Sequence, residues 1–215
     1  MSKLQGLRKA SHFGPTLIVT TIGWLFANYY WWEGPAYVIA FGIFCGQLVV
    51  GWSNDLYDYE DDFAHHRTKK PLVAGLITPD YLHKWIYFMT PFAFFANLFG
   101  PLGIKGGLVY MLGIAFGIGY NFYFKFNAAS PLPFAIAFAA LPSSIAISKD
   151  ITPPVWMWLG GALWGMAAHF INVIKDMDQD QASGINGLPQ RLGKKRSVVA
   201  AGILIALGAI TLYLF

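Results

Sequence analysis

Ser53-Asn54-Asp55-Leu56-Tyr57-Asp58-Tyr59-Glu60-Asp61-Asp62 follows directly on a long apolar run, and Arg67-Thr68-Lys69-Lys70-Pro71 comes shortly after it. The chain otherwise almost avoids acids: of 11 Asp and Glu in 215 residues, five lie between Asp55 and Asp62. Asn54, Asp58 and Asp62 are four residues apart, so on a helix they form one polar stripe. Asn172, Asp176 and Asp180 repeat that spacing, with His169 one turn earlier. Ionisable side chains at the ends of membrane spans are expensive to keep there and mark functional sites. Two carboxylate stripes facing each other would hold a divalent metal, and a metal held that way would bind phosphate oxygens.

The surrounding chain explains why such acids stand at span ends. Hydrophobic residues make up 56% and charged residues 12%, and the mean hydropathy is +0.48. Long apolar stretches recur throughout, which excludes an ordinary soluble domain and indicates a polytopic membrane protein. Seven spans are expected, at roughly 15–32, 35–53, 82–100, 103–123, 131–148, 154–174 and 197–215. The fold class is therefore an all-α transmembrane bundle, read as one domain over residues 1–215. Pro131, Pro133 and Pro142 make the fifth span a candidate for a kinked or broken helix. Trp24, Tyr29, Tyr30, Trp31 and Trp32 close the first span as an interfacial belt and mark it as uncleaved. Cys45 has no partner for an internal disulfide.

The net charge of +4 does not indicate nucleic acid, because the basic residues flank spans and do not line an aromatic platform. With the N-terminus inside, Lys3, Arg8, Lys9, Arg67, Lys69, Lys70, Lys84, Lys125, Lys175, Arg191, Lys194, Lys195 and Arg196 all fall on the cytoplasmic side. Only Lys105 and Lys149 fall outside. That asymmetry sets the expected orientation and puts both acidic stripes at the cytoplasmic face of the bilayer.

Each acidic stripe is continued by bases. Arg67, Lys69 and Lys70 follow the first and are suited to neutralising a diphosphate; Lys175 and Arg191 flank the second. Asn54-Asp55-x-x-Asp58-x-x-x-Asp62, with Arg67-x-x-Lys70-Pro71-Leu72-x-x-Gly75, resembles the first signature of the UbiA superfamily of intramembrane prenyltransferases. Lys175-Asp176-x-x-x-Asp180, with Ala182-x-Gly184 and Leu188-Pro189-x-Arg191-Leu192-Gly193, is similar to the second. The resemblance runs from the first span to Phe215. It implies that Asn54, Asp58, Asp62, Asp176 and Asp180 hold Mg²⁺ on a prenyl diphosphate. Asn172 and Lys175 would then face the substrate beside them. Asp55 belongs to the motif without a role carried over. Tyr120 with Lys125 loosely matches a Tyr-and-basic pair near the diphosphate, although the proline expected between them is missing. Members of the superfamily usually have nine spans. A short product, a fragmentary chain, or a gap closed by lipid or by a second protomer in a homo-oligomer would each account for seven.

The residue chemistry points the same way. Breaking an allylic C–O bond leaves diphosphate, whose growing charge needs metals and cations placed in advance. The allylic cation must be kept from water until a hydrophobic, aromatic or lipid acceptor attacks. Aromatic faces can stabilise it, with Trp52, Tyr57, Tyr120, Phe122, Tyr123, Trp164 and Phe170 as candidates. His169 reads either as an acceptor-binding group or general base, or as polar packing. Glu60, Asp61 and Asp178 lie off the stripes and read as solvated. His65 and His66 point apart on a helix and lack further soft ligands, which argues against zinc. A membrane terpene cyclase, a phosphoribosyl transferase and a divalent-cation transporter remain alternatives. Against the transporter, no acid lies midway along any span.

Overall fold

The computed structural model describes residues 2–214, and among them every regular element is helical. The contacts fall into two compact units, one ending at Leu108 and the other beginning at Val109. The first holds α1 (Lys3–Ala10), α2 (Phe13–Tyr30), α3 (Glu33–Tyr57), α4 (Tyr59–Ala64) and α5 (Pro79–Leu98). α6 (Gly103–Phe122) starts in the first unit and ends in the second. The second then holds α7 (Leu132–Ile147), α8 (Gly161–Ala182), α9 (Leu188–Leu192) and α10 (Lys194–Leu214).

Each of the seven expected spans coincides with a long helix. Four segments are long and apolar enough to cross a membrane: α3, α6, Trp156–Ala182 and α10, with α7 as a shorter apolar helix. α2 and α5 occupy the first and third expected ranges but carry more polar residues, such as Thr16, Thr20, Thr21 and Asn28 in α2 and Asp80, His83 and Lys84 in α5.

In the first unit, α1 is closed by a capping box between Ser2 and Gln5, which satisfies two orphan backbone donors. Its Leu7 and Ala10 pack with Leu48 and Trp52 of α3, Leu72 and Ile77 of the following loop, and Leu82 of α5. Trp52 Nε1 donates to the Leu7 carbonyl at 3.0 Å. Thr78 caps α5, accepting the Tyr81 N–H, and Pro79 occupies the first turn, where no N–H is needed. The N-terminal helix, the end of α3 and the 65–78 loop thus gather at one end of the unit. Deeper in, Asn97 Nδ2 donates to the carbonyls of Gly42 and Ala93 at 3.0 and 2.7 Å, joining α5 to α3.

In the second unit, Gly161 and Gly165 of α8 lie against the backbone carbonyls of Phe138 and Phe134 in α7. Small residues four apart let two helices approach this closely in a membrane. Gly208 and Gly160 similarly admit Trp164 and Thr211 between α8 and α10. The break expected in the fifth span is absent. Pro131 is the N-cap of α7 and Pro133 sits in its first turn, positions proline tolerates. The helix continues through Pro142, and the Phe138 carbonyl, which Pro142 cannot serve, faces Gly161. The irregular turn falls instead at Trp156–Gly160, a π-helical segment leading into α8.

Candidate active site

In the first unit, the helical hydrogen bonding continues past the end of α3. Asp58 N–H donates to the Asn54 carbonyl at 3.0 Å and Asp62 N–H to the Asp58 carbonyl at 2.8 Å. The expected stripe of Asn54, Asp58 and Asp62 is therefore kept, although Asp58 is the joint between α3 and α4. Asn54 and Asp58 are half-buried, whereas Asp55 and Asp62 are only 2% and 1% exposed. Seven residues are nearly two full turns, so these two buried acids share a face.

Both are met by cations from the loop. Arg67 Nη1 is 2.7 Å from Asp62 Oδ1 and 3.4 Å from Asp61 Oδ2. Lys70 Nζ is 2.7 Å from Asp55 Oδ1 and 3.6 Å from Asp62 Oδ2. His12 Nε2 adds a 3.4 Å contact to Asp55 Oδ1 from the α1–α2 joint. Asp55 Oδ2 is buried with no hydrogen-bond partner. Burial pushes the Asp62 carboxyl above the usual range; Lys70 and Arg67 oppose that, and Asp58 adds to it. Burial alone would lower the Lys70 pKa, but Asp55, Asp62 and Asp58 outweigh it and the net shift is upward. Lys69 is exposed. Asp61, expected to be solvated, is 37% exposed at its side chain and also pairs with Arg67 and His65. Among the described residues no three His, Cys, Asp or Glu gather as a metal cluster.

In the second unit, α8 stays helical through Asp176, Asp178 and Asp180, as the second stripe requires. Asn172, Lys175, Asp176 and Asp178 are exposed, and Asp180 is half-buried. Asp180 Oδ2 accepts from Gln190 Nε2 at 3.0 Å, so α9 braces the end of the stripe. Gly193, at φ +77°, turns the chain from α9 into α10, a conformation glycine adopts without a Cβ penalty. Arg191 Nε donates to the Asn186 carbonyl at 2.9 Å. Lys125 is 6% exposed, with its ammonium 5.3 Å from the Phe126 ring centroid. Tyr120 and Phe134 meet His169 with ring centroids 5.6 and 4.9 Å away. Of the other aromatic candidates, Phe170 is buried, while Tyr57, Phe122 and Tyr123 are exposed.

Sequence reading left Asp55 without a role, although its spacing from Asp62 signals a shared face. Ser130, His12 and Gln190 carried no signal at all, because each becomes relevant through a contact distant in sequence.

The fold and these acid-bearing helix ends define a polytopic, all-helical membrane enzyme. The sequence profile of the UbiA prenyltransferase family matches residues 16–215, and the chain belongs to that family. No curated protein sequence matches it. Among solved structures, it is similar to a UbiA homologue from Archaeoglobus fulgidus bound to GPP and Mg²⁺. That match has 14% identity and a TM-score of 0.78, covering 96% of this chain and 76% of that one. A digeranylgeranylglyceryl phosphate synthase gives 21% identity and a TM-score of 0.72, covering 98% and 76%. An apo UbiA homologue from Aeropyrum pernix K1 gives 18% and 0.73, covering 98% and 78%. At these identities the likeness is one of fold.

Proposed function

We propose that the chain transfers a prenyl group from a Mg²⁺-bound prenyl diphosphate to an aromatic or lipid acceptor, with its N-terminus and both acidic helix ends at the cytoplasmic face. The observation that carries this reading is the cluster of Asp55, Asp62, Arg67 and Lys70. Two carboxylates are buried there with two cations at 2.7 to 3.6 Å. Carboxylates and cations interleaved at a membrane face suit a ligand that brings both metal and phosphate.

The residues present fit Mg²⁺. Asn54, Asp58, Asp62, Asp176 and Asp180 offer only oxygen or amide donors, suited to a hard cation. Mg²⁺ is commonly held by one or two carboxylates, with substrate phosphate and water completing its shell. A protein-only cluster of three acids is therefore not required. The buried, unpartnered Asp55 Oδ2 adds an acceptor in the same place. When bound, the metal supplies neutralisation of the charge that builds on the departing diphosphate. Arg67 and Lys70 meet diphosphate oxygens from the loop, with Lys175 and Arg191 serving the second stripe. Tyr120, Phe134 and Phe170 keep water from the prenyl cation and present ring faces to it. The Archaeoglobus fulgidus homologues bound to GPP with Mg²⁺ and to Cd²⁺ support the donor and the divalent metal.

The test is transfer from a radiolabelled prenyl diphosphate in membranes. Exhaustive chelation should abolish it and Mg²⁺ should restore it; transfer that survives chelation would refute this ionisation chemistry. Incubation with donor alone separates transfer from cyclisation, since a cyclase would form its product without an acceptor.

A further inference from the structure

One buried polar side chain in the second unit is His169. It lies within the membrane-length helix Trp156–Ala182 at 1% exposure, yet its Nδ1 has no hydrogen-bond partner. Its other nitrogen is committed, since Nε2 lies 3.0 Å from Ser130 Oγ. Ser130 Oγ also accepts the Leu188 N–H at 2.9 Å. A hydroxyl has one proton to give, and we assign that proton to His169 Nε2, 3.0 Å away, because this gives the Ser130 hydroxyl both an acceptor and a donor partner. With Nε2 accepting, the neutral ring carries its proton on Nδ1. On that assignment the orphan atom is an N–H donor and not a base.

The surroundings of the ring are aromatic: Tyr120, Phe134 and Phe170, at centroid distances of 5.6, 4.9 and 6.2 Å. These are side chains, able to turn, and not backbone. His169 stands seven residues before Asp176, about 10 Å along the helix at 1.5 Å per residue. A diphosphate held at Asp176 would leave its allylic carbon to be met from that depth.

We propose that His169 is an acceptor-binding residue for prenyl transfer, its Nδ1–H donating to an oxygen of the acceptor, with Ser130 as the positioning residue that fixes the tautomer. The inference rests on the prenyl-transfer reading above and narrows the acceptor to one carrying a hydroxyl, carbonyl or carboxylate oxygen beside an apolar body.

The experiment uses the full chain in lipid nanodiscs. Metal-dependent binding of a non-hydrolysable prenyl thiodiphosphate is measured first, then transfer kinetics with two probe sets, single- and double-ring phenols and glycerol-based lipid alcohols. His169→Phe should bind the thiodiphosphate like the parent but raise the acceptor KM at least tenfold, with the donor KM unmoved. His169→Asn, which keeps an N–H donor at similar reach, should recover to within about threefold. Ser130→Ala should raise the acceptor KM severalfold; if His169→Phe does not fold, the His169→Asn and Ser130→Ala pair decides. The probe set that is turned over identifies whether the oxygen belongs to a phenol or a glycerol alcohol. An unchanged acceptor KM in His169→Phe, equal loss in His169→Asn and His169→Phe, or no turnover of any oxygen acceptor by a parent that binds thiodiphosphate would each overturn the inference. Absence of metal-dependent thiodiphosphate binding in the parent would instead overturn the prenyl-transfer reading itself.

Discussion

Asp176, Asp178 and Asp180 have the same chemistry and almost the same neighbours in sequence, so geometry alone separates them. At about 100° per residue, Asp180 lies about 40° from Asp176 and Asp178 about 200° from it, and α8 is helical through all three. Asp176→Asn and Asp180→Asn should each cost at least a hundredfold in turnover, the scale of losing a charge from a preorganised site. Asp178→Asn should stay within about twofold. Turnover of labelled prenyl diphosphate at matched expression checks this, and a dead Asp178→Asn beside an active Asp176→Asn would redraw the stripe. Lys70 carries a second residue-level expectation. Its folded pKa is raised by Asp55, Asp62 and Asp58 against the pull of burial. Its stabilising contribution is therefore complete below the unfolded value of about 10.4 and is lost as pH rises through the higher folded value. In metal-free protein, limited proteolysis of the 65–78 loop should accelerate only above about pH 10.4. In Lys70→Met that alkaline step should vanish.

Helix-to-helix contact in the second unit depends on glycines that no charge motif reveals. A Cβ on Gly165 would collide with the Phe134 carbonyl, and backbone cannot swing aside as a side chain can. Gly165→Leu should therefore destabilise α7 against α8, by about 1–3 kcal/mol, as overpacking does. Gly202, in α10, has open space where its Cβ would be, so Gly202→Leu is the matched control. Thermal unfolding in detergent should show a lowered midpoint for the first and little change for the second. In the first unit, α1 is held by the Trp52 hydrogen bond to Leu7 and by the close approach of Gly51 to Ser11. The same contacts bring His12 to Asp55. A short helix with little apolar surface is thereby tied to the acid-bearing end of α3.

Across the whole chain, the proposed orientation rests on the distribution of basic residues, by the positive-inside rule. Cysteines placed at Lys70 and Lys194 should both label from the cytoplasmic side, and one at Lys149 from the other. Labelling of the Lys70 and Lys194 positions from opposite faces would overturn the proposed orientation. The family assignment over residues 16–215 and the neighbours' folds agree on the all-helical architecture.

What the sequence determined by itself was whatever is local or periodic. Apolar runs near 20 residues placed all seven long helices, and a four-residue spacing put Asp58 with Asp62 and Asp176 with Asp180, because one hydrogen-bonding pattern fixes both rise and rotation. The prolines do not break the fifth span for a related reason: their cost depends on position within the helix, and Pro131 and Pro133 sit where it is small. Tertiary structure decided which groups are buried and what they meet. Asp55 with Lys70, His169 with Ser130 and Asp180 with Gln190 are pairs separated by 15, 39 and 10 residues. No periodicity encodes such pairs, since each forms only when packed helices bring distant backbone together and exclude water from the polar groups between them.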